Sequence, residues 1–245
     1  LLDAPVLAVA LVSLLGTPIE ALLKLLPANW EKAVAEATEA TLYKALEIAI
    51  HTLGTTETRE SRERLHKGLV VLSGIGGGAG GLATLPVELP ISTALILRSI
   101  ADIARSEGHD ISHLEVRLSC MEVLALGGKS TKDEGAETGY WMVRAALATE
   151  VREAVAYIAR GGIPEKGAPA LVRLLAAIAS RFGVIVSEEV AAKAVPVAGA
   201  FAGGVINLLF MKHFQDMARG HFIVKRLERK HGHDRLRRAY EALRV

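Results

Sequence analysis

The stretch WEKAVAEATEATLYKALEIAIHTL, residues 30–53, decides the fold class of this chain. Its apolar residues recur every three or four positions, while glutamates and lysines occupy most of the positions between them. This spacing predicts an amphipathic helix that buries one face, and Gly54 follows as a natural helix end. Similar patterns recur along the chain, with no Asn-Gly turn and no series of short alternating strands. We therefore expect an all-α protein.

Further helices are predicted from the same periodicity and from glycine and proline boundaries. One of them begins at Ser112, because Ser112 and Glu115 have the spacing of a capping box. For residues 184–193 the sequence allows either a helix or a short extended segment, and both predictions stay open. The whole chain, 1–245, is predicted to form one compact domain of roughly eight to ten helices, with its core at about residues 60–225. The expected helix ranges are 91–107, 112–126, 133–160, 168–182, 194–230 and 233–244.

Composition excludes several classes of protein. The 245 residues are 51% hydrophobic and 23% charged, which is too apolar a mixture for intrinsic disorder. A single cysteine, Cys120, excludes an intrachain disulfide framework and a cysteine-rich zinc site. A net charge of +2 and an aromatic content of 4% argue against a nucleic acid partner, which needs a basic surface and stacking side chains.

Two long runs carry no charged side chain, residues 68–87 and residues 194–211. Each is about as long as a membrane span, but the first contains seven glycines, which makes it a poor lipid-facing helix. We interpret both runs as parts of Gly/Pro-rich buried central helices. Two alternatives stay open: insertion of a helical hairpin into a membrane, and the lining of an apolar cavity for a lipid tail.

Known catalytic motifs are absent from the sequence. Gly76–Gly81 matches the G-x-G-x-x-G pattern of dinucleotide-binding loops, but any run of glycines does so, and Pro86 and Pro90 interrupt the helix that should follow. Close packing of two backbones explains these glycines better. Cys120 is expected to be a buried thiol. No Walker A, G-x-S-x-G or H-E-x-x-H sequence occurs, so we predict no catalytic residue, metal or cofactor.

Six polar side chains interrupt the apolar elements, and charges in apolar surroundings must be paired or functional. Arg98 and Asp102 lie four residues apart and can pair on one helix face. The set is interpreted either as a structural salt-bridge network or as a polar floor that orients a ligand headgroup. Its members are Glu88, Arg98, Asp102, His213, Asp216 and Arg219.

The end of the chain is basic. Residues 225–245, here called the basic tail, hold eight Lys or Arg against three Asp or Glu, a net charge of +5. Phe222, Leu227 and Leu236 interleave with these bases, so the segment can lie on an anionic lipid surface. The alternative is a solvated helix face packed on the domain. The side chains expected to face the membrane are Arg229, Lys230, Arg235, Arg237 and Arg238.

Several features follow one another in a recognisable order. A glycine-rich apolar run leads into Leu85-Pro86-x-x-Leu89-Pro90, and a helix containing Arg98 then ends in Ile-Ala-x-x-x-Gly. Together with Val195-Pro196-Val197-Ala198-Gly199-Ala200, this order resembles the EcsC protein family over roughly residues 60–225. The family takes its name from a bacterial operon that also encodes an ABC transporter. The resemblance implies association with membranes or transport, and it supplies no catalytic residues.

These observations predict a non-enzymatic bacterial protein, cytoplasmic and peripheral to the inner face of the membrane. We expect it to bind a lipid or another apolar small molecule, an anionic membrane surface, or a membrane transporter. The alternatives are a hydrolase acting on a lipid or peptide, and a structural adaptor of an ABC transporter. An elongated apolar cavity would favour ligand binding, whereas a cleft that joins a nucleophile to a base would favour hydrolysis.

Overall fold

The computed structural model describes residues 6–53, 67–68, 81–126, 140–161, 168–193 and 199–242. In these residues nine α-helices and two short 3-10 helices occur without any strand, which confirms the all-α prediction. The 3-10 helices are Gly81–Thr84 and Val123–Ala125. The α-helices are α1 (Val6–Leu15), α2 (Ile19–Leu23), α3 (Trp30–His51), α4 (Leu85–Ser106), α5 (Leu114–Glu122), α6 (Tyr140–Ala159), α7 (Pro169–Lys193), α8 (Gly199–His231) and α9 (His233–Ala242).

The longest helix, α8, organises the packing because it contacts α1, α4, α7 and α9. The ring centroid of Phe182 of α7 lies 6.3 Å from that of Phe210 and 5.8 Å from that of Phe214, both of α8, and the latter two centroids are 5.1 Å apart. All three rings are fully buried. Edge-on and tilted aromatic contacts of this kind stabilise beyond the area that they bury, so this cluster is a main anchor of the core.

Helices α4 and α8 lie side by side and run in the same direction. Near their starts, Asn207 Nδ2 donates to Glu88 Oε1 over 3.0 Å. Further along, Gln215 Nε2 donates to Ser99 Oγ over 2.8 Å. Near the ends, a ring nitrogen of His109 lies 2.9 Å from the carbonyl oxygen of Phe222. These buried polar contacts fix the register of the two helices, because a shift of either would leave several polar groups unpaired.

Helix α4 begins six residues earlier than the sequence predicted. Pro86 falls in the first turn of the helix, where a backbone N–H has no partner within the helix and its loss costs nothing. Pro90 lies inside the helix and removes only the hydrogen bond to the carbonyl of Pro86. The interpretation of these prolines as helix breakers is therefore wrong. Helix α4 is buried along most of its length, but it contains only residues 85–87 of the charge-free run 68–87.

Other boundaries also differ from the predicted ones. The expected capping box is wrong, because α5 starts at Leu114 and the Asp110 carboxylate accepts a 2.9 Å hydrogen bond from the Ser112 N–H instead. Residues 184–193, left open between two conformations, are helical and continue α7 without a break. Two predicted helix starts, at residues 133 and 194, lie outside the described residues. The same holds for most of the glycine run, residues 69–80.

The aromatic cluster gives a test of the core. We expect Phe214→Ala to lower the free energy of unfolding by about 3–5 kcal/mol, the usual cost of a buried Phe replaced by Ala. Urea denaturation followed by circular dichroism measures this change. Met142→Ala is the matched control, because that side chain is 57% exposed. Equal losses in the two variants would contradict the assignment of the core.

Candidate functional site

An apolar groove of about 650 Å³ lies between α3 and α7, here called the α3–α7 groove. Its volume falls within the range of about 300 to 1,000 Å³ that small-molecule sites occupy. Large side chains form the α3 wall, whereas the α7 wall is built mainly from small ones. The α3 wall includes Trp30, Val34, Thr38, Leu42 and Tyr43, and the α7 wall includes Val172, Leu175, Ala176, Ala179, Ser180, Gly183 and Ser187.

The groove exists because small residues of α7 recur on the face that it turns toward α3. Ala176, Ala179, Gly183 and Ser187 are three or four positions apart, so they lie along one side of the helix. A Cβ atom added at Gly183 would meet no atom within 4 Å, so the space beside this glycine is open. The two helices also pack against each other directly, and the groove lies along this junction where small residues of α7 leave space.

The walls of the groove suit a neutral apolar ligand. Ser180 and Ser187 donate hydrogen bonds to carbonyl oxygens of their own helix, over 3.0 and 2.7 Å. Among the residues that the structure describes, the buried hydroxyl of Thr38 has no hydrogen-bond partner. The charged lining residues are Glu31 and Glu39, both exposed, and no lysine or arginine of the described chain joins them. The groove therefore offers one polar anchor in an apolar channel with an acidic edge.

The predicted residue Glu88 lies in a different place, in a buried ionic cluster that joins α4, α7 and α8. Lys193 Nζ lies 2.6 Å from Glu88 Oε1 and 2.7 Å from Glu189 Oε1. All three side chains are at most 8% exposed. Burial alone would lower the pKa of Lys193, but the carboxylates of Glu189 and Glu88 outweigh burial and raise it. Burial likewise raises the pKa of Glu189 against the opposing effect of Lys193.

The expected pairing of Arg98 with Asp102 is wrong. Asp102 pairs with Arg105, three residues further along α4, over 2.9 Å. Both of these side chains are nearly buried, whereas Arg98 is exposed on the outer face of the helix. Position on the helix decides the outcome, because only Arg105 can reach Asp102 without leaving the buried side.

The three predicted residues on α8 have three different environments. Arg219 Nη1 lies 3.9 Å from Glu107 Oε1, and Asp216 pairs with Lys212 over 2.5 Å at a partly exposed position. His213 is buried, and neither ring nitrogen has a hydrogen-bond partner in the described part of the molecule. Burial lowers the pKa of His213 to about 4, so its ring is neutral at neutral pH.

None of the six predicted residues lines the α3–α7 groove. Four of them take part in ion pairs at different places: Glu88 with Lys193, Asp102 with Arg105, Asp216 with Lys212 and Arg219 with Glu107. His213 is buried without a hydrogen-bond partner among the described residues, and Arg98 is exposed. Sequence reasoning missed Lys193 and Asn207, whose partner Glu88 is more than 100 residues away along the chain, and it missed Glu189, which pairs with Lys193.

The basic tail spans two helices. Gly232, with a φ of +85°, makes the break between α8 and α9. The five bases singled out in the sequence are all exposed, and Arg229 also donates to the Gly108 carbonyl over 3.1 Å. Phe222 is fully buried in the core, so the expectation that it interleaves with the bases on a lipid-facing surface is wrong. Tyr240 packs against Trp141 of α6 at a centroid distance of 5.8 Å, which docks α9 on the domain.

Two other candidate chemistries find no support in the described residues. Cys120 is buried, as predicted, and burial raises the pKa of its thiol to about 12, which leaves it unreactive as a nucleophile. Within the described ranges no three His, Cys, Asp or Glu side chains are grouped so that they could hold a metal ion.

Comparison with known proteins gives the class of this molecule. The fold is a bundle of α-helices in which one described helix, α7, is long and apolar enough to cross a membrane, although the core helix of a soluble protein meets the same criteria. The chain belongs to the EcsC protein family, whose model matches residues 10–227. No curated protein and no solved structure matches it significantly.

The Glu88 cluster gives a second test. We expect Lys193→Ala to lower the free energy of unfolding by about 3–5 kcal/mol, because it leaves two carboxylates buried without their cation. The neutral triple variant Glu88→Gln, Glu189→Gln, Lys193→Met should lose much less. Chemical denaturation of both variants at neutral pH measures the difference. If Lys193→Ala is at least as stable as the triple variant, the buried charges are not coupled.

Proposed function

We propose that this protein is non-enzymatic and membrane-associated, and that it holds a neutral apolar or lipidic chain in the α3–α7 groove. The observation that carries the proposal is the groove itself, an elongated channel of about 650 Å³ with mostly apolar walls. An apolar chain placed there would cover the exposed faces of Val172 and Ala176 and exclude water from them. The hydroxyl of Thr38 would bind the one polar group that such a chain carries near its head.

The basic tail supports the second part of the proposal, contact with an anionic membrane. Its five exposed bases lie at the end of α8 and along α9, and each Lys or Arg near a lipid surface contributes about 1 kcal/mol. A protein that collects an apolar ligand at the inner face of the membrane needs both features, a surface that finds the bilayer and a groove that takes the chain. A transporter is the partner that the same location would bring within reach.

Hydrolysis of a lipid or peptide is the second candidate function. It is favoured by one contact, because Lys225 Nζ lies 2.6 Å from the hydroxyl oxygen of Ser119. The direction of the hydrogen bonds opposes it. Lys225 donates to Ser119, and Ser119 in turn donates to the Glu122 carboxyl, so the ammonium group is not placed to accept the serine proton.

A structural adaptor of a transporter is the third candidate. Val87 and Ile91 lie four residues apart on α4 and are 67% and 49% exposed, so they present an apolar pair to solvent. Two side chains are a small area compared with a stable protein interface, and for this reason the groove carries the proposal instead.

The groove can be tested with the chain's own fluorescence. Trp30 lines the groove, and the only other tryptophan of the sequence is Trp141, so Trp141→Phe leaves Trp30 as the single reporter. We expect a neutral monoacylglycerol with a dibrominated chain to quench Trp30 in a saturable way. Gly183→Leu places a large side chain in the groove, where its Cβ meets no atom within 4 Å, and should weaken binding at least tenfold while the thermal transition stays cooperative.

Ala40→Leu is the matched control for this titration. It adds the same apolar side chain to an exposed position of α3 outside the groove, so it should bind like the parent protein. Quenching that is linear in lipid concentration, or equal binding by Gly183→Leu and Ala40→Leu, would contradict the proposed groove.

The basic tail gives a separate prediction. Replacing its five exposed bases with Gln should sharply reduce co-sedimentation with anionic vesicles at low salt, because the attraction is electrostatic and is screened within about 8 Å at physiological ionic strength. Stability should change little, since exposed charges contribute little to folding. The replaced residues are Arg229, Lys230, Arg235, Arg237 and Arg238.

A variant with the same change in net charge elsewhere is the control for vesicle binding. It replaces five exposed bases outside the tail with Gln, namely Lys24, Lys32, Lys44, Arg160 and Lys212. This variant should retain most of the binding. Equal loss in both variants would mean that net charge, and not the tail, attracts the protein to the vesicle, and no preference for anionic over neutral lipid would refute membrane contact by the tail.

A further inference from the structure

A second cavity, of about 300 Å³, lies on a different part of the molecule, between α5, α6 and the region where α8 meets α9. It is lined by more polar and charged side chains than the α3–α7 groove. Its chemistry comes from Ser119 and Glu122 of α5, Trp141 and Arg144 of α6, Lys225 of α8 and Arg237 of α9. Nothing in the family assignment or in the proposed lipid groove accounts for these side chains.

The walls of this cavity are held in place by a buried network. Arg144 donates two hydrogen bonds to the carboxylate of Glu228, over 3.0 and 2.9 Å, and a third to the Tyr140 hydroxyl over 3.2 Å. The same hydroxyl lies 3.0 Å from a ring nitrogen of His221, which is fully buried. The Arg144 guanidinium also lies 5.3 Å from the centre of the Trp141 ring. Arg144 is thus neutralised by Glu228 and serves to orient Trp141.

Two hydrogen-bond donors in the wall are well placed for a ligand. The indole Nε1 of Trp141 is buried and has no hydrogen-bond acceptor among the described residues. An unpaired buried N–H costs about 1–3 kcal/mol, which a bound acceptor would recover. The Nζ of Lys225 contacts the Ser119 hydroxyl, a neutral group, and interacts electrostatically with the Glu122 carboxyl.

Glu122 is the buried acidic residue of the cavity wall. Glu122 is 4% exposed, and burial raises the pKa of its carboxyl, although Lys225 and Arg144 act in the opposite direction. Arg152, His233 and Arg237 add basic groups to the rim, where Glu115 is the opposing acid. Basic side chains therefore outnumber acidic ones around this cavity, and the Trp141 N–H in its wall has no acceptor among the described residues.

We propose that this cavity binds a phosphate group, with Lys225 as its main positive charge and Trp141 Nε1 as a hydrogen-bond donor. A phosphate carries several strong acceptor oxygens and can satisfy both groups at once. The group could be carried by a small soluble phosphate ester or by a phospholipid headgroup. Ala145, Ala148 and Val151 form an apolar wall of the cavity that would accommodate the carbon skeleton of either.

Trp141 itself provides the readout. In a Trp30→Phe background it is the single tryptophan, and its emission should change in a saturable way when the cavity is filled. The probes are inorganic phosphate, glycerol 3-phosphate, and vesicles of phosphatidylglycerol beside vesicles of a neutral lipid without phosphate. We expect Lys225→Gln to weaken binding at least tenfold. Arg235→Gln removes one exposed charge of the tail outside the cavity and should bind like the parent.

The arms of the experiment separate the two sources of phosphate. Saturable binding of the soluble probes that depends on Lys225 supports a soluble phosphate ester. Binding of phosphatidylglycerol vesicles alone, again dependent on Lys225, supports a lipid headgroup. If no probe changes the emission of Trp141, or if Lys225→Gln and Arg235→Gln bind equally, the proposal is wrong.

A second variant protects the test against loss of folding. Lys225→Gln should keep a cooperative thermal transition, but if it does not, Trp141→Phe removes the indole donor and keeps the aromatic packing. Calorimetric titration of Trp141→Phe with inorganic phosphate should then give several-fold weaker binding than the parent protein, and unchanged affinity would overturn the role of Nε1. The result is independent of the α3–α7 groove, because Trp30 and Gly183 do not line this cavity.

Discussion

The polar side chains on the buried faces of α8 are the constraint on which much of the structure depends. A helix that is enclosed on several sides must pair most of its polar groups within the protein, because water cannot reach them, and His213 is the exception among the described residues. Asn207 pairs with Glu88, Gln215 with Ser99, His221 with Tyr140, Lys225 with Ser119 and Glu228 with Arg144. The partners lie on α4, α5 and α6. One helix thus sets the positions of three others, while the phenylalanine cluster supplies the apolar contact with α7.

This arrangement leaves the two cavities in different surroundings. The α3–α7 groove borders small residues of α7. The other face of α7 is anchored by Phe182 and by Lys193 of the Glu88 cluster. The second cavity, between α5, α6 and the region where α8 meets α9, lies beside the last turns of α8. There the buried network orients Arg144 and Trp141. Rigid anchoring close to each site keeps the walls in place without a ligand. An apolar chain and a phosphate group are the two parts of one phospholipid, but the two proposals stand on separate residues.

The sequence predicted well where a local pattern decides the structure. The α3 helix follows from its own periodicity. Prediction failed where a partner far along the chain decides. Glu88 was recognised as a charge that needs a partner, but Lys193 is 105 residues away, and no pattern names it. The groove was missed because Ala176, Ala179 and Gly183 have the spacing of close-packed small residues. Whether such residues touch a neighbour or leave a channel depends on the opposing side chains.

The central claim is that the α3–α7 groove holds an apolar or lipidic chain. Its most direct test is native mass spectrometry of the purified protein, combined with solvent extraction of the same sample and analysis of the extract. We predict a main species with one small molecule bound per chain, and recovery of that apolar molecule in the extract. A spectrum of the bare chain alone, with an extract that contains no such molecule even after incubation with a membrane lipid fraction, would contradict it.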